Sequence, residues 1–548
     1  MSRPGPNSAG AGLRTKTVAD YVFARGIRET AELERYLQPR LSHLSAPDKM
    51  KDRSAIAERI VQAVRSRSRI VVFGDYDCDG MTATAIMCDV IEELGGVAVP
   101  ILASRFDGGY GVSARALERI FEAEPNLVVT CDCGSSDHET LKELTKAGID
   151  VAVIDHHLVP DEPLPVFAFL NPHRPECEFE YKGLASCGLV LSVAAAMRAE
   201  LGAQLDLRKW LDLVAIGTIA DVAPLTGDNR ALVRAGLETL RKSERAGIRA
   251  LIDVVGLKRD YAFVASDVAF RIAPRLNAPG RMQGPDLAFH LMREKDPDRA
   301  RALADEVEEL CKKRRVDQAE IEKEAEKDIA SLGLSDAPAL VLGREGWNHG
   351  IVGIVAGRLA EKYDRPALVI GFENGVGRGS VRGPDGFQMF DALSDCSEHL
   401  VRFGGHQAAA GMELLVENLE SFRRAFEEAC ARRKDYERPS EAAPLQLAAG
   451  DDLSDVLEDL YLLEPCGEKN PSPKLSLECS VRSAREVRGG HLKLDLELPG
   501  GRRVGAFAPN LGFRARELSG TVTVIGELRP DRYRGGNAVE LLVQHVHC

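Results

Sequence analysis

From about residue 55 to residue 225, short β-branched runs alternate with amphipathic stretches. "RIVVF", "LVVTC" and "DVAVI" have the length and residue types of buried strands, and "TATAIMCDVIEELGG" and "DHETLKELTKAG" between them read as helices. The second of these closes on Gly148, which suits a helix stop. Strand and helix in alternation predict a mostly parallel sheet covered by helices.

Further along, residues 298–332 contain no Gly or Pro, and Asp296-Pro297 ahead of them supplies an N-cap and a first-turn proline. Leu303, Val307 and Leu310 share one face, as do Ile321, Ala325 and Ile329. At 1.5 Å per residue this helix is roughly 50 Å long, and its many charges suit a bridge between domains. A second α/β block follows, from about 338 to 430: "PALVLGREG", the helical "GIVGIVAGRLAEKY", then "PALVIGF". After the polar "RRKDYERPSEAAPLQLAAGDD" the pattern changes to strand alternation in "HLKLDLEL", "TVTVIGEL" and "AVELLVQHV", which predicts a small β-barrel or sandwich. No internal repeat at a fixed period is present.

Composition narrows the class. At 548 residues, 44% hydrophobic and 28% charged, the chain reads as a globular protein of about two to four domains. "MSRPGPNSAGAGLR" at the start reads as a disordered lead rather than a signal peptide. "LASCGLVLSVAAAM" is too short and broken to span a bilayer and suits a buried helix, so a cytoplasmic protein is expected. The 12 cysteines are scattered and read as buried thiols in a reducing compartment. A net charge of −13 argues against a protein that coats nucleic acid over its whole surface. Residues 471–548 nevertheless carry 12 Lys and Arg against 8 Asp and Glu, a balance of +4 that leaves −17 for the rest. A basic tail on an acidic body suggests a module facing a polyanion, although solvated surface accounts for +4 almost as well.

The chemistry concentrates in "GDYDCDG", where Asp75, Asp77 and Asp79 alternate directly after a strand. The spacing opens like an EF-hand, but the position that needs a bidentate Glu is Ile86, and a strand rather than a helix leads in. Open α/β sheets instead place ligands beyond the carboxyl ends of their strands. "NLVVTCDCG" ends in Asp132, "DVAVIDHH" in Asp155, His156 and His157, and the run "LDLVAIGTIAD", strand or buried helix, in Asp221. Any one of these aspartates could be a turn residue. Four acidic ends in one unit, one of them with adjacent histidines, point to metal. Imidazole with several carboxylates suits Mn²⁺; Mg²⁺ tolerates the carboxylates better than the His. The ligands suffice for two ions sharing a carboxylate.

At these residues the sequence resembles the DHH phosphoesterase superfamily and, within it, the RecJ family of bacterial single-strand-specific exonucleases. "GDYDCDG", "CDCG", "DHH" and "GTIADVAPL" follow the core motifs in order, and "RIAPRLNAPGR" resembles the signature ahead of the long helix. "EGWNHGIVGIVAGRL", "GRGSVRG" and "FGGHQAAAG" resemble the DHH-associated domain, and the C-terminal strands resemble the family's OB-fold. The resemblance implies an N-terminal lead and helical segment over 1–45, a DHH core over 46–295 and a connecting helix over 296–332. A DHH-associated domain over 333–440 and an OB-fold over 445–548 complete it.

It further implies a 5′→3′ exonuclease of single-stranded DNA, acting in repair and recombination with two Mn²⁺ or Mg²⁺ ions. The enzyme is expected to be monomeric, with single-strand-binding protein and a recombination helicase as partners. Asp75 goes to one metal, Asp77, His156 and Asp221 to the other, and Asp132 bridges. Asp79 and Asp155 orient the ligands, and His157 contacts the scissile phosphate. Arg105, Ser380 and Arg382 grip the 5′-terminal phosphate, while Arg275, Asn277, Arg281 and His406 line the strand path. Phe507, Phe513 and Tyr533 are the few aromatics of the OB segment, so stacking there is limited. Two departures stand out: Asn348 follows Trp347 where the family places a His, which here falls at 349, and Cys78 replaces a small aliphatic residue. A small-substrate DHH phosphoesterase is the rival, but such proteins typically lack the C-terminal OB region. A non-catalytic scaffold relative would have lost ligands, and none is missing here.

Overall fold

The computed structural model describes residues 12–405, 409–438, 443–531, 534 and 538–548. Strands β1 (Arg69–Gly74), β2 (Val97–Leu102), β3 (Leu127–Cys131), β4 (Asp150–Ile154) and β5 (Ala168–Leu170) form a wholly parallel sheet in the order β2-β1-β3-β4-β5. Its central strands are continuous apolar runs because both faces are covered. Ile70 and Val72 pack under the helices Cys78–Glu93, Ser186–Leu201 and Leu211–Ala220, while Val71 and Phe73 pack against Ile120, Leu141 and Leu144. Strand order reverses direction between β1 and β3. The loops leaving these two strands therefore part, opening the crevice in which such sheets bind ligands.

The run ending in Asp221 is a helix, Leu211–Ala220, apolar all round because it is buried all round. Gly217 lets it approach the helix Cys78–Glu93: a Cβ there would lie 2.3 Å from Thr82 Oγ1 and 2.9 Å from Asp79 Oδ1. That contact brings Asp221, at the helix C-terminus, to the same crevice.

The connecting helix is Pro297–Ser331, 35 residues, capped by Asp296, whose carboxylate accepts from the Arg299 N–H. Ala300, Ala304 and Val307 bury in the first core, and Ile321, Ala325 and Ile329 in the second domain. One rigid element thus fixes the spacing of two domains. The second domain is a mixed sheet of β6 (Leu340–Glu345), β7 (Ala367–Glu373), β8 (Val376–Arg382), β9 (Arg402–Gly405) and β10 (Ala409–Leu415), ordered β6-β7-β8-β10-β9.

The C-terminal strands are β11 (Leu445–Gln446), β12 (Leu475–Val487), β13 (His491–Glu497), β14 (Arg503–Ala508), β15 (Gly520–Pro530) and β16 (Val539–His547). Pairing of β12 with β15 closes five of them into a barrel, so the choice between barrel and sandwich resolves to a barrel. The N-terminal helices Lys16–Ala24 and Thr30–Leu37 pack on this barrel domain through Val18, Val22, Leu33 and Leu37. Asp459 fastens them, its carboxylate accepting from the backbone N–H groups of Arg14 and Thr15. The first and last segments of the chain therefore share one core. All 12 cysteines are free thiols, and among the described residues no helix is long and apolar enough to cross a membrane.

Candidate active site

The three alternating aspartates after β1 part company. Asp77 is the N-cap of the helix Cys78–Glu93, one oxygen accepting from the N–H groups of Asp79 and Gly80 at 3.0 and 3.1 Å. A Cβ on Gly80 would lie 2.5 Å from the Asp75 carbonyl oxygen, so only glycine lets this first turn fold onto the loop. Asp79 turns inward, fully buried, and accepts from the N–H groups of Ser186 and Cys187 at 2.6 and 2.9 Å. Asp75 stays in the crevice, 3% exposed.

Across the strand-order switch, Asp132 leaves β3 with φ +66°, a left-handed conformation that Asp tolerates better than most residues. Its Oδ1 accepts from Ser186 Oγ at 3.0 Å and lies 3.2 Å from His156 Nε2. His156 Nε2 is in turn 3.7 Å from Asp221 Oδ2 and 4.0 Å from Asp79 Oδ2. Asp155 is buried below them, accepting from the backbone N–H groups of Ser135, His156 and His157 and bonded to His157 Nδ1 at 2.8 Å. Three sets of donor atoms each fall within 4.8 Å of one another: Asp75, Asp77 and Asp132; Asp79, His156 and Asp221; Asp132, His156 and His157. Asp75 and Asp77 thus share one set, and Asp132 belongs to two.

This much acid in so little water is unstable without a cation. Burial, then Asp77, pushes the Asp75 carboxyl well above its ordinary value, and burial with Asp79, Asp77, Asp221 and Asp75 does the same to Asp132. Burial first, then Asp79 and Asp77, pushes Asp221 up to about 9. Burial lowers His156, keeping its imidazole neutral and able to ligate. Burial opposes protonation of His157, yet the hydrogen bond to Asp155 and nearby carboxylates raise it to about 9. Among the described residues no Lys or Arg comes within ion-pair distance of Asp75, Asp77, Asp79, Asp132 or Asp221; the close charged contacts of Asp79, Asp132 and Asp221 are with His156 and His157. Asp75 Oδ1 and His156 Nε2 are buried and make no hydrogen bond. A carboxylate and a neutral imidazole left orphaned in one crevice are a donor set that fits divalent cations.

Metal affinity should therefore rise with pH. The proton held on Asp221 must leave as the ion enters, so Mn²⁺ affinity is expected to strengthen by about tenfold per pH unit below about pH 9, and the raised Asp132 carboxyl acts in the same direction. Titration calorimetry in buffers of different ionisation enthalpy reads both the affinity and the released protons. A pH-independent affinity would contradict the scheme.

The chain matches three family models in order: the DHH family N-terminal domain over residues 69–218, the DHHA1 domain over 336–432 and the RecJ OB domain over 445–545. It is 33% identical to the single-stranded-DNA-specific exonuclease RecJ of Bacillus subtilis over 97% of this chain and 68% of that protein. It is also 33% identical to the RecJ of Dickeya dadantii, covering 95% and 94% of the two chains. The chain belongs to the RecJ family. A crystal structure of RecJ from Thermus thermophilus in complex with Mn²⁺ superposes with a TM-score of 0.84 at 31% identity, covering 100% of this chain and 79% of that one. The Mg²⁺ complex superposes at 0.78.

The RecJ-type signature residues outside the crevice divide. Arg105 lies over the Tyr76 ring at 4.1 Å. Arg382 is held below the usual guanidinium range by burial and then by Arg105, so the two positive groups are neighbours across the domain boundary. Ser380 lies beside Arg382 on the same face of β8. Asn277 and Arg281 line a cleft next to the crevice. Arg275 does not join them: its guanidinium is bonded to Glu308 of the connecting helix at 2.6 Å and to the Arg271 carbonyl. His406 and Tyr533 lie outside the described residues. Asn348 caps the Gly350 N–H, and His349 faces a cavity with Arg105, Arg378 and Arg402.

Two contributors escape sequence reasoning. Ser186, in a stretch that reads only as apolar helix, directs its hydroxyl to Asp132 and its N–H to Asp79. Tyr110 places its hydroxyl 3.0 Å from His157 Nδ1.

Proposed function

We propose that the chain is a 5′→3′ exonuclease that removes 5′-mononucleotides from single-stranded DNA, in DNA repair and recombination. The observation that carries this reading is the juxtaposition of two uncompensated charge clusters. Clustered carboxylates with no Lys or Arg in ion-pair contact adjoin Arg105, Arg281 and Arg382, none of which is ion-paired to a carboxylate among the described residues. The first cluster calls for cations and the second for phosphate.

Asp75, Asp77, Asp132, His156 and Asp221 would hold Mn²⁺ or Mg²⁺. Two such ions in a shared-carboxylate site activate water and neutralise charge on a phosphodiester. Asp79 and Asp155 hold the ligating groups in place through the backbone N–H groups they accept from. His157, held by Asp155, is an imidazolium at neutral pH; it contacts the scissile phosphate and donates a proton to the leaving 3′-oxygen. Arg105, Ser380 and Arg382 take the 5′-terminal phosphate, guanidinium forks matching its oxygens. Asn277 and Arg281 guide the strand. The barrel supplies a backbone-tracking surface. The free thiols suit the reducing cytoplasm. A monomer working with single-strand-binding protein and a recombination helicase completes the reading.

The test is digestion of a long strand labelled internally, offered single-stranded and as duplex with Mn²⁺. Progressive release of 5′-mononucleotides from the single strand alone is expected. Cleavage confined to very short oligomers would favour a small-substrate phosphoesterase.

A further inference from the structure

Directly after Asp221 the chain turns through Val222, whose φ of +59° is one that β-branched residues rarely adopt and whose side chain is held 64% exposed. This turn walls a cleft of about 460 Å³, whose other sides are the segment 265–277, the connecting helix and residues 466–468. The volume is that of a small-ligand site. Two independent features show what the cleft lacks.

The first is Phe270, 76% exposed on the cleft wall. It sits on a wide turn, Val268–Ile272, of the π-helical kind that recurs at functional sites. Val268 and Ile272 on either side are buried, so the turn is anchored and the ring is held outward. The second is a pair of guanidinium groups. Arg314 of the connecting helix is 9% exposed, donates to Gln318 Oε1 at 2.7 Å and leaves its Nε buried without a hydrogen bond. Arg281 donates to the Gly350 carbonyl at 3.0 Å. No carboxylate among the described residues pairs with either. A buried cation lacking its counter-ion is costly unless an anion arrives.

We propose that this cleft seats a nucleotide on the 3′ side of the scissile phosphodiester, its base stacked on Phe270 and its backbone phosphate held by Arg314 together with Arg281. The assignment rests on the exonuclease reading above and adds to it two residues, Phe270 and Arg314, that the site motifs leave out. An aromatic face suits any base, so the cleft holds the strand without reading sequence. Because Arg314 belongs to the connecting helix, the strand touches the element that sets the spacing of the two α/β domains.

The test is fluorescence anisotropy of the full chain with a short 5′-phosphorylated DNA single strand in chelator, over a salt series. Arg314→Met should weaken binding about tenfold and flatten the slope of log affinity against log salt by about 0.7, the share of one single-strand phosphate. Arg314→Lys should restore the slope. Phe270→Ala should weaken binding by roughly 5- to 100-fold and Phe270→Trp should bind as wild type. One abasic position scanned along the strand should weaken the wild type at a single site and leave Phe270→Ala unaffected there. Binding and slope equal to wild type in both Arg314→Met and Phe270→Ala, or an abasic penalty identical in Phe270→Ala and wild type, overturns the proposal. Phe270 is exposed and its loss leaves the fold intact, so that arm stands even if Arg314→Met melts early. A wild-type chain that binds no single strand overturns the exonuclease reading as well, which separates the two failures.

Discussion

Asp132→Asn is expected to abolish nucleotide release and, in chelator, to melt above the wild type. Both effects have one cause. Asp132 is 1% exposed, and after burial itself the carboxylates of Asp79, Asp77, Asp221 and Asp75 are what resist its ionisation. It belongs to two of the three donor sets, so its loss disturbs both halves of any metal pair. Hydrolysis should fall at least a thousandfold, about 4 kcal/mol of barrier. The amide keeps the oxygen that accepts from Ser186 Oγ but carries no charge. Replacing a carboxyl that must take up a proton on folding by a neutral amide should stabilise the metal-free chain at neutral pH by about 1–3 kcal/mol.

The pH dependence has a definite sign. Asp132 and Asp221 are both raised above their unfolded values, so the folded chain binds more protons; the Asp221 contribution to metal-free stability is lost as pH rises from about 4 through about 9, and Asp132 acts with the same sign. Added Mn²⁺ should reverse the trend, raising the melting temperature more at pH 8.5 than at pH 6 by mass action. Strand binding should largely survive in Asp132→Asn, because the arginines are untouched. Thermal melts in chelator and nucleotide release in Mn²⁺ check the pair; Mn²⁺-dependent release retained by the variant would sink the metal scheme.

What the sequence makes legible follows from how local each signal is. Asp75, Asp132 and the Asp155-His156-His157 triplet stand out because each directly follows an apolar run, and a parallel sheet brings all such ends to one edge. Asp221 is legible as a candidate, but whether its run is strand or helix is not, since a segment buried all round has no period to read. Arg275 and Arg281 look alike in "RIAPRLNAPGR". They sit six positions apart on one helix, which turns them to different sides; Arg281 reaches the cleft and Arg275 meets Glu308. No local pattern announces a partner 33 residues away. Ser186 is hidden for the same reason, because its role depends on where Asp79 and Asp132 lie in space. The docking of the N-terminal helices on the barrel domain joins segments more than 400 residues apart and leaves no trace in periodicity.

Arg382→Met should erase discrimination between 5′-phosphorylated and 5′-hydroxyl strands. Arg382 is lowered by burial and by the neighbouring Arg105, and its N–H bonded to the Val381 carbonyl gives it no counter-charge. Ser380 Oγ and the Arg382 guanidinium lie 3.1 and 3.4 Å from where a Cβ on Gly353 would stand, so the first turn of the helix Val352–Tyr363 rests against them. The positive end of that helix's dipole adds partial positive charge at the same place. A terminal phosphate carries more negative charge than an internal one, and charge-assisted bonds contribute about 1.5–3 kcal/mol each, so the variant should lose roughly 10- to 150-fold in kcat/KM on the phosphorylated strand. On the 5′-hydroxyl strand it should match the wild type, because the contact removed has no partner there. The loss should therefore appear only in the double comparison of enzyme and end group, and Arg382→Lys, which keeps the charge but not the fork, should recover part of it. Stability supplies the control. A half-buried arginine without a carboxylate contributes nothing to the fold that methionine cannot, so the variant should melt at or above the wild-type temperature. An equal loss on both strands would mean that Arg382 positions the domain boundary rather than the phosphate, and an undiminished preference would place the 5′-end elsewhere.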